Sequence, residues 1–126
     1  MNNFKLTKKE RLCSTSLIGQ LFDQGSSFYT FPLKVVYLKT TLPSHHPVQV
    51  SFSVSKKNFK RAVHRNLIKR RMREAYRLNK PAFYARIPEG EQLAMMIIYS
   101  CKEEKDFKQI EKGMKKVLDK LAESWK

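Results

Sequence analysis

Between Lys56 and Arg77 the chain carries ten Lys/Arg side chains and one acid, Glu74. The cations are Lys56, Lys57, Lys60, Arg61, Arg65, Lys69, Arg70, Arg71, Arg73 and Arg77, and the window supplies +9 of a formal net charge of +15. Guanidinium groups grip phosphate through paired donors, and ammonium groups attract it as point charges, so the chemistry on offer is polyanion binding. Other chemistry has little to build on. His45 and His46 sit in a Pro-flanked stretch and His64 lies inside the basic run, none with a Cys or carboxylate at metal-ligand spacing. Glu103, Glu104 and Asp106 cluster late, where capping and dipole roles suffice, and no general acid/base pair is visible. There is no Gly-rich phosphate loop. The expectation is a binding protein with no catalytic residue, no protein-bound metal and no nucleotide cofactor.

Those cations need an element to arrange them. Ala62–Asn79 contains neither Gly nor Pro and predicts a long helix that Pro81 stops. At about 100° per residue, Leu67, Ile68, Met72, Ala75, Tyr76 and Leu78 fall on one arc, and Arg65, Asn66, Lys69, Arg70, Arg73 and Arg77 on the other. Arg71 lands among the apolar positions and has to snorkel outward. Cations at i, i+4 and i+8 line up along the axis at a spacing flexible arms can match to successive phosphates, and Asn66 adds a donor–acceptor pair for a base edge or 2′-OH. A solvated cationic face is the bland alternative, but solvated faces mix signs and this one has no acidic partner on its arc. Lys56-Lys57-Asn58 and Phe59-Lys60-Arg61 lead into the helix, so a basic corner sits beside its N-terminus, where open N–H groups and the macrodipole favour anions.

The remaining chain supplies a scaffold. Residues 1–11 are polar and basic and read as a loose lead-in. Ser14 can N-cap a short helix with Leu17, Ile18, Leu21 and Phe22 on one face, ended by Gly25 as a C′ glycine. Phe28–Thr30 and Leu33–Lys39 read as strand, and Thr40–Pro47 as loop. Val48–Val54 alternates strictly, with Val48, Val50, Phe52 and Val54 on one side and Gln49, Ser51 and Ser53 on the other. Leu93–Ser100 is a continuous apolar run suited to a strand buried on both faces. Asp106 can cap a last helix with a stripe of Phe107, Ile110, Met114, Val117, Leu118, Leu121 and Trp125. The order α-β-β-β-α-β-α, without a linker, predicts one α+β domain over residues 1–126, an α/β sandwich with about four strands.

Composition narrows the class. The chain has 126 residues, 41% hydrophobic and 11% aromatic, too apolar for a disordered polycation. No apolar run approaches the ~18–20 residues of a bilayer span, and the start lacks the apolar segment of a secretory signal. Cys13 and Cys101 are isolated; two reduced thiols suit the cytoplasmic setting this implies, and a disulfide between them is the other reading.

The stretch from Ser53 to Arg77 closely resembles the signature of the bacterial ribonuclease P protein component. A strand ends in Val54-Ser55-Lys56-Lys57; Arg65-Asn66 is followed at family spacing by Lys69-Arg70; and Arg73-Glu74-Ala75-Tyr76 closes the pattern. More loosely, Phe22-Asp23-Gln24-Gly25 matches an early helix end, and the late apolar strand and helix also fit. The resemblance implies a mixed sheet with an uncommon left-handed β-α-β crossover. It also implies an accessory subunit of an endoribonuclease that removes the 5′ leader of precursor tRNA, with hydrolysis performed by the RNA subunit and its Mg²⁺ ions. By position, Arg61, Arg65, Asn66, Lys69, Arg70, Arg73 and Arg77 would contact the RNA subunit. Phe22, Ile18, Val36, Ser51 and Ser53 would line a leader cleft that Lys56 and Lys57 flank. The complex would hold one copy of this chain per RNA. Leu67 stands where the family has a third basic residue, and Ile18 and Val36 where many relatives have aromatics, so stacking would fall mainly to Phe22. Phe22 reads as core as well as it reads as cleft. The alternative function is a ribosomal or other structural RNA-binding protein. A DNA-binding helix would call for a dimer, and no dimer surface is evident.

Overall fold

The apolar run Leu93–Tyr99 becomes the strand at the heart of a four-stranded sheet. In the computed structural model, which describes residues 10–12, 15–42 and 46–124, the elements are α1 (Thr15–Gln24), β1 (Ser26–Thr30), β2 (Leu33–Lys39), β3 (Val48–Val54), α2 (Ala62–Ala85), β4 (Leu93–Tyr99) and α3 (Phe107–Glu123). The sheet order is β1-β2-β4-β3. β1–β2 and β2–β4 are antiparallel, and β3–β4 are parallel neighbours joined through α2, so the sheet is mixed. β2 and β3 have the expected bounds, β2 from its β-branched and aromatic content and β3 from its alternation. β1 begins two residues earlier than expected, at Ser26, because β2 offers partners as far as Tyr37.

Helices cover the two faces unequally. Against one face α2 and α3 bury Val35, Val50, Met95, Ile97, Ile68, Met72, Tyr76, Ile110 and Met114, the main core. Against the other, α1 packs Leu17 and Leu21 on Val36 and Ala94, with Leu12 and Leu42 completing a smaller cluster. Asp106 caps α3 as expected, its carboxylate accepting from the Gln109 N–H at 3.0 Å. Ser14, Cys13 and Trp125 lie outside the described residues, and Cys101 is a half-buried free thiol.

Of the two expected terminators, Gly25 ends its helix and Pro81 does not. Gly25 does follow α1, donating to Leu21 O at 2.9 Å, but it has no left-handed φ. A Cβ there would stand 2.3 Å from Leu21 O and 2.8 Å from Tyr37 O, so glycine is required by the close approach of two backbones. Pro81 does not stop α2, which runs six residues beyond the predicted end at Asn79. Proline inside a helix costs about 3 kcal/mol, and here the following turn offsets this by burying Phe83 and seating Tyr84.

That turn also holds a buried ion pair that the helical projection misses. Lys80 is 4% exposed and Glu10 1%. Lys80 Nζ donates to Glu10 Oε1 and Oε2 at 2.8 and 3.0 Å, and Tyr84 OH donates to Glu10 Oε2 at 2.6 Å. Tyr84 has spent its proton on Glu10, so Tyr76 OH is the donor in the 2.9 Å contact between the two phenols. Burial pushes both phenols far above their ordinary range. The pair corrects the reading of residues 1–11 as uniformly loose. Glu10 is clamped, Arg11 bridges Val50, and the Leu12 N–H donates to Val50 O at 2.9 Å. Leu78, placed on the apolar arc, is exposed instead.

Removing one partner of a buried pair leaves an uncompensated charge, which costs about 3–5 kcal/mol. Lys80→Ala and Glu10→Ala should each lower the unfolding free energy by that amount in urea titrations. Asp119→Ala, which breaks an exposed pair with Arg86, should cost under about 1 kcal/mol. Equal small losses in all three would show that the Glu10 clamp does not hold the N-terminal segment.

Candidate nucleic-acid interface

The basic corner is shaped by backbone and side-chain bonds. After β3, Ser55 Oγ accepts from the Lys57 N–H and Ser55 O from the Phe59 N–H, both at 3.1 Å, turning the chain. Phe59 plugs the turn into the core, its ring 5.9 Å from that of Tyr99. Tyr99 OH accepts from the Lys105 N–H at 3.0 Å, and burial pushes its pKa up to about 12. Lys56, Lys57, Lys60 and Arg61 are left in solvent. Arg61 occupies the N-cap position of α2 without a side-chain cap, so the first-turn N–H groups point outward beside these four cations.

Along α2 the separation of surfaces holds, with two refinements. Ile68, Met72, Ala75 and Tyr76 are buried; Asn66, Arg70 and Arg73 are exposed, and Lys69 is half-buried. Among the described residues, Arg61, Lys69, Arg70 and Arg73 have no carboxylate partner. Arg65 is different: its Nη1 donates to Phe59 O and Lys60 O, each at 2.8 Å, so it braces the corner as well as facing outward. Arg77 is also engaged, contrary to an arc without acidic partners. Its Nε and Nη2 grip Glu74 at 2.9 and 2.6 Å. That hydrogen bonding holds the Glu74 carboxyl below its usual range. Arg71 does snorkel, to Glu104 Oε2 at 3.2 Å and Lys105 O at 2.7 Å. Leu67 is half-buried.

The opposite face of the sheet, beside α1, is only partly covered and is the candidate groove. The register sets Val36, Met96 and Ser51 in one row and Lys34, Ile98 and Ser53 in the next. Val36 is buried under α1, whereas Met96, Ile98, Ser51 and Ser53 are half-buried and Lys34 is exposed. Ile18 packs on the small cluster. Phe22 belongs to neither cluster and is 56% exposed, which removes its core reading. Tyr29, paired with Lys34, adds a second exposed aromatic on this face. Among the described residues no group of three or more His, Cys, Asp or Glu is placed to hold a metal, and no helix is long and apolar enough to cross a membrane.

This geometry meets a clear set of relatives. Residues 6–122 match the family model described as Ribonuclease P. The chain belongs to the ribonuclease P protein family. It is 41% identical over 123 residues to the ribonuclease P protein component of Porphyromonas gingivalis strain W83, covering 94% of this chain and 88% of that one. The ribonuclease P protein component of Chlorobium phaeobacteroides is 47% identical over 88 residues, covering 68% of this chain and 60% of that one. Among solved structures, a Staphylococcus aureus RNase P protein mutant with defective mRNA degradation activity superposes with TM-score 0.71 at 23% identity, covering 90% of this chain and 89% of that one. The Thermotoga maritima RNase P protein superposes with TM-score 0.69 at 24% identity, covering 88% and 96%. These likenesses show the same fold. As a ribonuclease P protein the chain is an accessory subunit of an endoribonuclease of tRNA processing, and it associates with the RNA subunit.

Tyr29, Lys34, Met96 and Ile98 were not anticipated on the groove face. Strand alternation carries the signal for the first two, since Lys34 shares a face with Val36 and pairs with Tyr29. Nothing in the run Leu93–Ser100 separates a covered face from a half-covered one.

The two kinds of arginine on α2 should respond differently to truncation. Arg70→Ala should weaken binding to the RNA subunit about three- to tenfold at unchanged stability. Arg65→Ala should also cost about 1–2 kcal/mol in urea unfolding, because two carbonyls lose a charged donor. Glu74→Gln, which frees Arg77 and removes an anion, should tighten RNA binding about two- to fivefold. Weaker binding by that variant would mean that Glu74 positions Arg77 for its contact.

Proposed function

We propose that this chain binds the ribonuclease P RNA with the outward face of α2 and holds the 5′ leader of precursor tRNA in the groove beside α1. So held, it assists endonucleolytic removal of the leader to give the mature tRNA 5′ end. The observation that carries this reading is the placement of two different surfaces on one small sheet. A cationic helix face suited to a folded RNA backbone occupies one side; a half-open, mixed apolar and hydroxyl-lined groove with an exposed aromatic at its edge occupies the other. Arg61, Lys69, Arg70 and Arg73 supply phosphate contacts, Asn66 a contact to a base edge or 2′-OH, and Arg65 and Arg77 contacts from braced positions. In the groove, Phe22 presents a ring for an unpaired base, which every base can use because each has a π-face. Ser51 and Ser53 offer hydroxyls, Ile18 an apolar flank, and Lys56 and Lys57 meet the leader phosphates at the strand end. Val36 supports the groove from below. Hydrolysis belongs to the RNA subunit and its Mg²⁺ ions; this chain neutralises charge and aligns the leader. One copy per RNA in the bacterial cytoplasm fits this role.

Added to the cognate RNA subunit, the protein should increase cleavage of leader-bearing precursor tRNA at low Mg²⁺. No stimulation at any Mg²⁺ concentration would sink the proposal. With about 5–8 phosphates neutralised, the affinity for the RNA subunit should fall steeply with salt, whereas a nearly flat dependence would contradict the α2 interface. Phe22→Ala should weaken holoenzyme binding of long-leader substrates about three- to tenfold at unchanged melting temperature, leaving leaderless tRNA unaffected.

A further inference from the structure

A third aromatic side chain stands in solvent, away from the leader groove. Phe31, in the turn between β1 and β2, is 52% exposed. The turn rests directly on α3, where a Cβ at Gly113 would stand 2.8 Å from Phe31 O and 2.9 Å from Pro32 Cδ. Together they enclose a hollow of about 260 Å³ lined by Thr30, Phe31, Gln109, Lys112, Gly113 and Lys116. That is smaller than a typical drug-sized site but roomy enough for one nucleobase. Thr30 Oγ1 is buried at its lining and finds no hydrogen-bond partner within the protein.

α3 carries three acids among its lysines. Asp119 pairs with Arg86 at 2.7 Å and Glu111 accepts from Asn79 at 3.3 Å, both toward α2, where Lys115 also lies. Toward the β1–β2 turn run Lys112, Lys116 and Lys120, at i, i+4 and i+8, with Glu123 following at the end of the helix. This is the spacing that sets Arg65, Lys69 and Arg73 in line on α2, about 6 Å per step. Lys120 Nζ lies 5.2 Å over the Phe28 ring. Lys105 Nζ lies 5.7 Å over the Phe31 ring, and Glu103 Oε1 approaches the same ammonium at 3.5 Å. Lys112 and Lys116 have no carboxylate partner among the described residues. The strip also connects with the α2 interface, since Arg71 donates to Lys105 O while the Lys105 ammonium covers Phe31.

We propose that this hollow is a second contact for the ribonuclease P RNA: Phe31 stacks an unpaired nucleotide, and Lys112 and Lys116 hold its flanking phosphates. The inference rests on the functional reading above. It assigns the hollow to the RNA subunit, and not to the leader, because the hollow joins the α2 side through Arg71 and Lys105 while the leader groove opens on the opposite face of the sheet. It also gives a role to part of the positive charge outside Lys56–Arg77.

The test uses the full chain and the RNA subunit. Phe31→Ala should reduce affinity for the RNA subunit about 5- to 100-fold, the range that base–aromatic stacking supports. Phe31→Trp should retain it. Lys112→Ala combined with Lys116→Ala should lower the slope of log affinity against log salt by about 2. None of these variants should change the melting temperature or the discrimination between long and short leaders. If wild-type protein binds the RNA subunit and all three variants bind it with wild-type affinity and salt slope, this inference is overturned while the proposed function stands. If Phe31→Ala loses leader discrimination instead, the hollow belongs to the substrate path and the assignment is likewise overturned. If the wild-type chain fails to bind the RNA subunit, the functional reading fails first and takes the inference with it.

Discussion

The apolar seam of α2 is the contact on which the other features depend. A helix carrying Arg65, Lys69, Arg70, Arg73 and Arg77 along one side gains nothing from self-association of those charges and is held mainly by what its other side buries. Ile68, Met72, Ala75, Tyr76 and Phe83 provide that burial against the sheet and α3, at about 1.5–3 kcal/mol for each large side chain. The seam dictates where the cations go. It also creates the structure's most demanding polar problem, because its continuation beyond Asn79 carries Lys80 inside. The N-terminal segment answers with Glu10, and its path along β3 follows from that requirement.

The second constraint is geometric. Four strands set about 4.8 Å apart are wider than one helix of about 10 Å diameter. Two long helices close the main-core face, whereas the ten-residue α1 covers only part of the other. Met96, Ile98, Ser51 and Ser53 are left half-buried as a result. The half-open face is therefore a consequence of unequal coverage, and its lining is mixed, two apolar side chains beside two hydroxyls.

Much of this is legible in the amino-acid sequence. β-branched and aromatic content located β2, alternation located β3, a capping aspartate located α3, and the i, i+4, i+8 spacing of cations separated the two sides of α2. What failed has specific causes. Pro81 carries a local penalty, but the burial of Phe83 and the bond of Tyr84 to Glu10 outweigh it. Leu78 is exposed against its expected apolar place, and Lys80, one residue past the predicted helix end, is buried because it meets Glu10, seventy residues away in the chain. Arg65 and Arg77 looked alike in projection; one braces two carbonyls and the other is clamped by its own helix neighbour. Phe22 had two readings until its exposure decided between them.

Order along a chain carries periodicity, charge and turn chemistry, because these act over a few residues. The amino-acid sequence alone therefore determined the element order, the concentration of charge on one helix face and the family signature spanning Ser53–Arg77. Pairings between distant residues and the extent to which one layer covers another depend on packing in three dimensions. Only the tertiary structure decided that Glu10 neutralises Lys80, that the second face of the sheet stays half open beside Phe22, and that Phe31 comes to rest on α3 among lysines far from it in the chain.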